Sequence, residues 1–254
     1  MPESDPHGDA QRGTPVPTDP YRGAAPRASV PLPRWTWGVA PYAVVSLIHV
    51  GALALGAESV AAPTKLVLMP LLAVAVLWGG RGTLWGGRGT RWGAAFKLLF
   101  LAIAWSWLGD GAGAFFPAAP ELPVMLACFG LAHVCYLRLF WRHLAIRRLP
   151  RWTVVYALWW IVLVSVLWPH LGGLAAAVTG YGLLLGGTAS LAARCSPVVT
   201  WGGALFLCSD TILALRIFVP DAMPGWTSPL VMLTYCLGQG LIATGAIARA
   251  RERR

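Results

Sequence analysis

Lysine is almost missing from this chain, and acidic residues are few. Of 254 residues only Lys65 and Lys97 are lysine, and ten are Asp or Glu. With 12% charged against 57% hydrophobic residues, the composition leaves the soluble globular range and enters the membrane class. The five cysteines, Cys128, Cys135, Cys195, Cys208 and Cys236, form no CxxC pair. Neither a disulfide framework nor a metal site is expected. A secretory signal is not expected either: residues 1–34 are polar and proline-rich and read as a disordered cytoplasmic arm. Scarce lysine beside abundant Arg, Ala and Gly looks like a GC-rich genome, which points to a bacterial plasma membrane.

What the chain does have is long apolar runs. A helix of about 20 apolar residues crosses the ~30 Å hydrocarbon layer. Such windows lie at 36–56, 64–79, 95–115, 123–141, 152–168, 171–192, 198–218 and 228–248. The expected fold is therefore an all-α integral membrane protein, a bundle of about eight transmembrane helices in one domain over 35–248. The net charge of +10 does not mark a nucleic-acid surface, because the arginines fall in alternate loops. Arg22, Arg27 and Arg34 precede the first window; Arg81, Arg88 and Arg91 follow the second. Arg142, Arg147, Arg148 and Arg151 follow the fourth, Arg194 the sixth, and a basic tail over 249–254 the eighth. The intervening loops carry no Lys or Arg. By the positive-inside rule both termini are cytoplasmic.

The direct repeat WGGRGTLWGGRGTRWG over 78–93 reads as a Gly/Arg-rich cytoplasmic loop, a duplicated flexible linker. The sixth window, rich in Gly, Ala, Ser and Thr, reads as a close-packing surface.

Ionisable groups inside spans cost roughly 2.5–3.5 kcal/mol on insertion scales and usually face the bundle interior. The windows contain two carboxyls, Asp110 and Asp210, together with His133, Tyr136 and Gln239. At ~1.5 Å per residue these groups converge on the half of the bilayer away from the arginines. Ser106 and Asp110 are i,i+4, and His133 and Tyr136 are i,i+3, so each pair shares a helix face. Two carboxyls at one level can divide acid and base work. Lys65 is expected at the outer end of the second span, and Arg216 to snorkel outward. His49 is expected to have no role.

Five segments carry a family resemblance: Lys65 opening the second span, LGD ending at Asp110, FGLAHVCY over 129–136, GALFLCSD over 203–210 and YCLGQGLI over 235–242. In order and spacing the chain resembles the YhhN-like lysoplasmalogenase family over roughly 36–248. In that family the lysine is commonly followed at once by proline; here Leu66 follows it and Pro70 comes later. The resemblance implies hydrolysis of the sn-1 vinyl ether of a lysoplasmalogen-type lysophospholipid, giving a fatty aldehyde and a glycerophospho-alcohol, with no cofactor and no metal. A vinyl ether lacks an electrophilic carbonyl and opens by protonation at carbon, which suits two buried carboxyls. On this reading Asp110 and Asp210 are catalytic. Lys65 holds the lipid phosphate, and Ser106, His133, Tyr136, Ser209, Tyr235 and Gln239 orient or bind. Partners are the lysolipid and membrane lipids, not nucleic acid.

Three rivals are weighed against this. A proton-coupled transporter would also use an intramembrane acidic pair. An intramembrane aspartyl protease would need GxGD, and Trp107 occupies the first glycine's place. A structural or lipid-sensing protein would show no turnover.

Overall fold

The computed structural model describes residues 34–81 and 91–253. The expected arm over 1–34, except its last residue, and most of the glycine-arginine repeat lie outside the described residues. Among those described there is no strand, and eight helices are long and apolar enough to cross a membrane. Their α-helical parts are α1 (Ala40–Ala54), α2 (Glu58–Gly80), α3 (Arg91–Asp110), α4 (Glu121–Leu139), α5 (Val154–Leu167), α6 (Ala175–Ala192), α7 (Pro197–Phe218) and α8 (Thr227–Glu252), with tighter turns extending α1 back to Trp37 and α5 over Arg151–His170. The chain is an all-helical integral membrane protein, as its composition implies.

Helices α1, α2, α3, α4, α6 and α7 pack in succession around α8, which itself contacts α1, α2 and α7. Helix α8 is the most enclosed, with 67% of its apolar window buried, and α5 the least, with 11%. Accordingly α5 lies outside against α6 and turns Val154, Val155, Leu158, Ile161, Val162 and Val166 outward. Such an apolar outer face is stable only against lipid. Exposed Trp37, Trp141, Trp152 and Trp201 stand toward the arginine-rich end and Trp168 and Trp226 toward the other, as aromatic belts do.

Local chemistry sets the ends and the closest crossing. Gly56, at φ 68°, closes α1 in the left-handed region open to glycine and turns the chain into α2 within three residues. Helix α2 therefore begins at Glu58, six residues before the expected window, and Lys65 sits about 10 Å along it rather than at its end. Pro70 has no N–H to give the carbonyl of Leu66, and Trp107 Nε1 on α3 supplies that hydrogen bond at 2.9 Å. Helix α3 stops at Asp110, not at 115. Gly111 turns the chain into a single helical turn, Ala112–Phe115, whose Phe115 ring packs 4.8 Å from that of Trp107.

At the arginine-rich end, α4 runs on through a wider turn, Phe140–Leu144. Arg147 Nε donates to the Ala193 carbonyl at 2.8 Å, tying that loop to the next. Burial pushes the Cys195 thiol there up to about 12, so it stays a neutral core group. The expected basic tail continues α8: Arg251 donates to the Gly79 carbonyl at 2.8 Å and Arg249 pairs with Glu252 at 3.2 Å.

Helices α7 and α8 meet backbone to backbone. A Cβ on Gly238 would lie 2.9 Å from the Phe206 nitrogen and 3.0 Å from the Gly202 oxygen. Small residues allow such an approach where no hydrophobic force from water draws helices together. At the same crossing Phe206 packs on Tyr235, and one turn further on the Ser209 hydroxyl, next to Asp210, reaches the Val231 carbonyl of α8.

Candidate functional site: two carboxyls and their phenols

Asp110 ends α3, and its Oδ2 accepts a hydrogen bond from Tyr235 Oη of α8 at 2.8 Å. Asp210, buried on α7, accepts one from Tyr181 Oη of α6. His133 of α4 is fully buried, with Nε2 at 3.7 Å from Asp210 Oδ2 and 3.3 Å from Tyr181 Oη. Each carboxyl thus has a phenol from a facing helix. Asp110 lies within electrostatic reach of Lys65 and of Asp210.

Hydrogen-bond accounting around His133 yields a proton path. The Thr188 hydroxyl donates to the Leu184 carbonyl at 2.8 Å, so at 3.1 Å from His133 Nδ1 it can only accept. Nδ1 therefore carries a proton. Two arrangements then satisfy the rest of the chain. In one, Asp210 is ionised, Tyr181 donates to it, and an imidazolium Nε2–H donates to the Tyr181 oxygen. In the other, a protonated Asp210 donates to Tyr181, which donates to Nε2 of neutral His133. They differ by one proton passed through the Tyr181 hydroxyl.

A second network supports Asp110. Tyr136 Oη donates to Gln239 Oε1. Gln239 Nε2 reaches Ser106 Oγ at 3.1 Å and Tyr235 Oη at 3.4 Å. Phe206 stands between the two networks, edge to face with His133 at 4.9 Å and with Tyr235 at 5.4 Å. Seven of the nine residues read from sequence fall into these networks: Asp110, Asp210, Ser106, His133, Tyr136, Tyr235 and Gln239. Ser209 does not join them through a hydrogen bond; its hydroxyl donates to the Val231 carbonyl at 2.9 Å and ties α7 to α8. Lys65 lines a separate cavity toward the arginine-poor end.

Tyr181 and Thr188 were missed. They lie in a run of small residues that reads as packing, and Gly182 of that run does receive Trp160 of α5. Their seven-residue spacing, which puts two hydroxyls on one helix face, was the available signal.

A narrow apolar crevice of about 40 Å³, lined by Leu122, Met125, Phe129, Leu213 and Phe218, reaches Asp210 and Tyr181 from the arginine-poor end. Residues 60–246 match the family model described as the YhhN family. The chain belongs to the YhhN family. No curated protein and no solved structure matches it. The YhhN match takes in every group of both networks and leaves α1 outside it.

Proposed function

We propose that this YhhN protein is a membrane-embedded hydrolase that cleaves the sn-1 vinyl ether of lysoplasmalogen-type lysophospholipids by acid–base chemistry. The observation that carries the reading is the pair of phenol-bound carboxyls, Asp210 buried and Asp110 half-buried, with a narrow apolar crevice reaching Asp210. Neither serine there is set up as a nucleophile: Ser209 donates to the Val231 carbonyl and Ser106 accepts from Gln239.

Asp210, which shares one proton with His133 through the Tyr181 hydroxyl, gives that proton to the distal alkene carbon. The C=C electrons form that C–H bond, and the other alkene carbon becomes an oxocarbenium ion with the ether oxygen. Asp110, near Lys65, takes a proton from water as the water oxygen bonds to that carbon. The resulting hemiacetal returns its hydroxyl proton to Asp210 while Asp110 protonates the leaving glycerol oxygen. Aldehyde and alcohol result, and both carboxyls regain their starting states. The positive inner loops support an orientation with both termini cytoplasmic, in a bacterial plasma membrane.

A proton-coupled transporter would need a polar route across the whole bundle. Toward the arginine-rich end the interior is instead filled by fully buried Leu72, Val76, Leu99, Phe140, Ile242 and Ile247. Incubating purified protein with plasmenyl and acyl lysolipids tests the proposal. Free fatty aldehyde from the plasmenyl substrate is expected. Fatty acid alone, or no product, would overturn it.

A further inference from the structure

Helix α5 leaves an open groove against α6 at the arginine-rich end. It measures about 730 Å³, within the range of small-molecule sites. Most of its lining is apolar, with Val154, Trp160 and Ile161 from α5 facing Leu183 and Gly186 of α6. Val154, Ile161 and Leu183 are each more than half exposed, so the groove opens sideways, where lipid stands. From Ser190 to Gly182 it runs about 12 Å along α6. Two tryptophans of α5 keep its walls in place. Trp160 Nε1 donates to the Thr179 carbonyl at 3.1 Å, and Trp159 Nε1 to Thr211 Oγ1 at 3.1 Å.

The arginine-rich end of the groove is polar. Arg151, Tyr156 and Ser190 line it there. Tyr156 and Ser190 are half-buried, yet among the described residues neither hydroxyl has a hydrogen-bond partner, and Arg151 enters no ion pair. Thr153 differs, because its hydroxyl already donates to the Pro150 carbonyl at 2.7 Å. All three unpartnered groups can donate, and no Asp or Glu lines the groove. The surroundings are positive as well. The Arg194 guanidinium lies over the Trp141 ring at 4.7 Å rather than on a carboxylate. Among the described residues Glu252 is the one acid at this end, and Arg249 pairs with it.

We propose that this groove is a site for an anionic glycerophospholipid whose phosphodiester carries no ammonium. Arg151 and the Tyr156 and Ser190 hydroxyls donate to the phosphate oxygens, and an acyl chain lies along the apolar lining toward Gly182. A zwitterionic lipid has the same phosphate, but its ammonium would meet arginines and no carboxylate. Basic recesses between spanning helices select anionic headgroups on these grounds. An occupied groove ties α5, the least enclosed helix, to α6, which carries Tyr181 and Thr188. The site lies at the opposite end of the bundle from Lys65 and does not depend on the hydrolase reading.

Native mass spectrometry of the purified full chain, with equimolar phosphatidylglycerol and phosphatidylethanolamine of matched chains, reads the preference. Phosphatidylglycerol should bind about tenfold tighter, the scale of one charge-assisted hydrogen bond. Arg151→Gln should cut that preference to about threefold or less. Tyr156→Phe and Ser190→Ala remove neutral donors and should each weaken both lipids by about threefold. Arg253→Gln makes the same charge change on the exposed end of α8, outside the groove, and should leave the preference intact. Equal binding of the two lipids overturns the site, and so does an equal loss in Arg151→Gln and Arg253→Gln. Glycerophosphoglycerol, which has the headgroup without the chains, should compete more weakly than the lipid; equal competition overturns the lipid assignment. A lipid-free dimer in place of a lipid adduct would give the groove to a second copy and overturn the proposal. Without added lipid the thermal midpoint of Arg151→Gln should match that of the parent chain, which separates lost binding from lost fold.

Discussion

Asp110 and Asp210 differ in what surrounds them. Asp110 has Tyr235 and, through it, the Gln239 network; Asp210 has Tyr181 and His133. Replacing either Asp with Asn removes a proton-transfer group but little volume. Aldehyde release should fall about 10²–10⁴-fold, with the thermal midpoint in detergent nearly unchanged. Substantial activity in both single variants would refute the assignment. Tyr181→Phe keeps the ring and removes the hydroxyl that relays the proton. On the proposed mechanism its kcat should drop about 10-fold or more while KM for the lysolipid holds, because Tyr181 bridges Asp210 and His133 and is not placed to bind the headgroup. A rise in KM with unchanged kcat would place Tyr181 in binding instead.

At the level of elements, the site depends on how closely α7 and α8 cross. A methyl added at Gly238 meets backbone atoms of α7, which cannot move aside as a side chain can. Gly238→Ala should cost about 1–3 kcal/mol in unfolding and also reduce turnover, since parting the helices parts Asp210 from the Tyr235 side of the layer. Gly180→Ala on α6 is the matched control. Nothing lies within 4 Å of its added methyl, so stability should hold or rise by up to about 1 kcal/mol. Equal changes in the two variants would show that the close crossing does not govern the effect.

Among the described residues the bundle interior is polar in one half and apolar in the other. Reactive groups gather toward the arginine-poor end, and the arginine-rich half is an apolar plug. With an even number of spanning helices the described chain begins and ends on one side of the membrane. Reporter enzymes fused separately at residue 1 and residue 254 should both report the cytoplasm, and a split result would reject the arginine-based orientation.

The sequence by itself determined the membrane class, the eight spans and the carboxyls inside them. A 20-residue apolar run has one stable solution in lipid, and a charge within it must face inward. It also marked Ser106, His133, Tyr136, Tyr235 and Gln239, since polar groups stand out against an apolar background. Only the tertiary structure decided that Tyr181 serves Asp210 and Tyr235 serves Asp110. Partner choice across helices 29 and 125 residues apart follows from rotation and crossing distance, which no span pattern encodes. It also moved Lys65 into the bundle, where Gly56 starts α2 early, and gave His49 a place. A histidine alone on an apolar helix carries no sign of its surroundings; the Thr64 hydroxyl across the α1–α2 turn is what takes up its Nδ1 and leaves Nε2 buried without a partner.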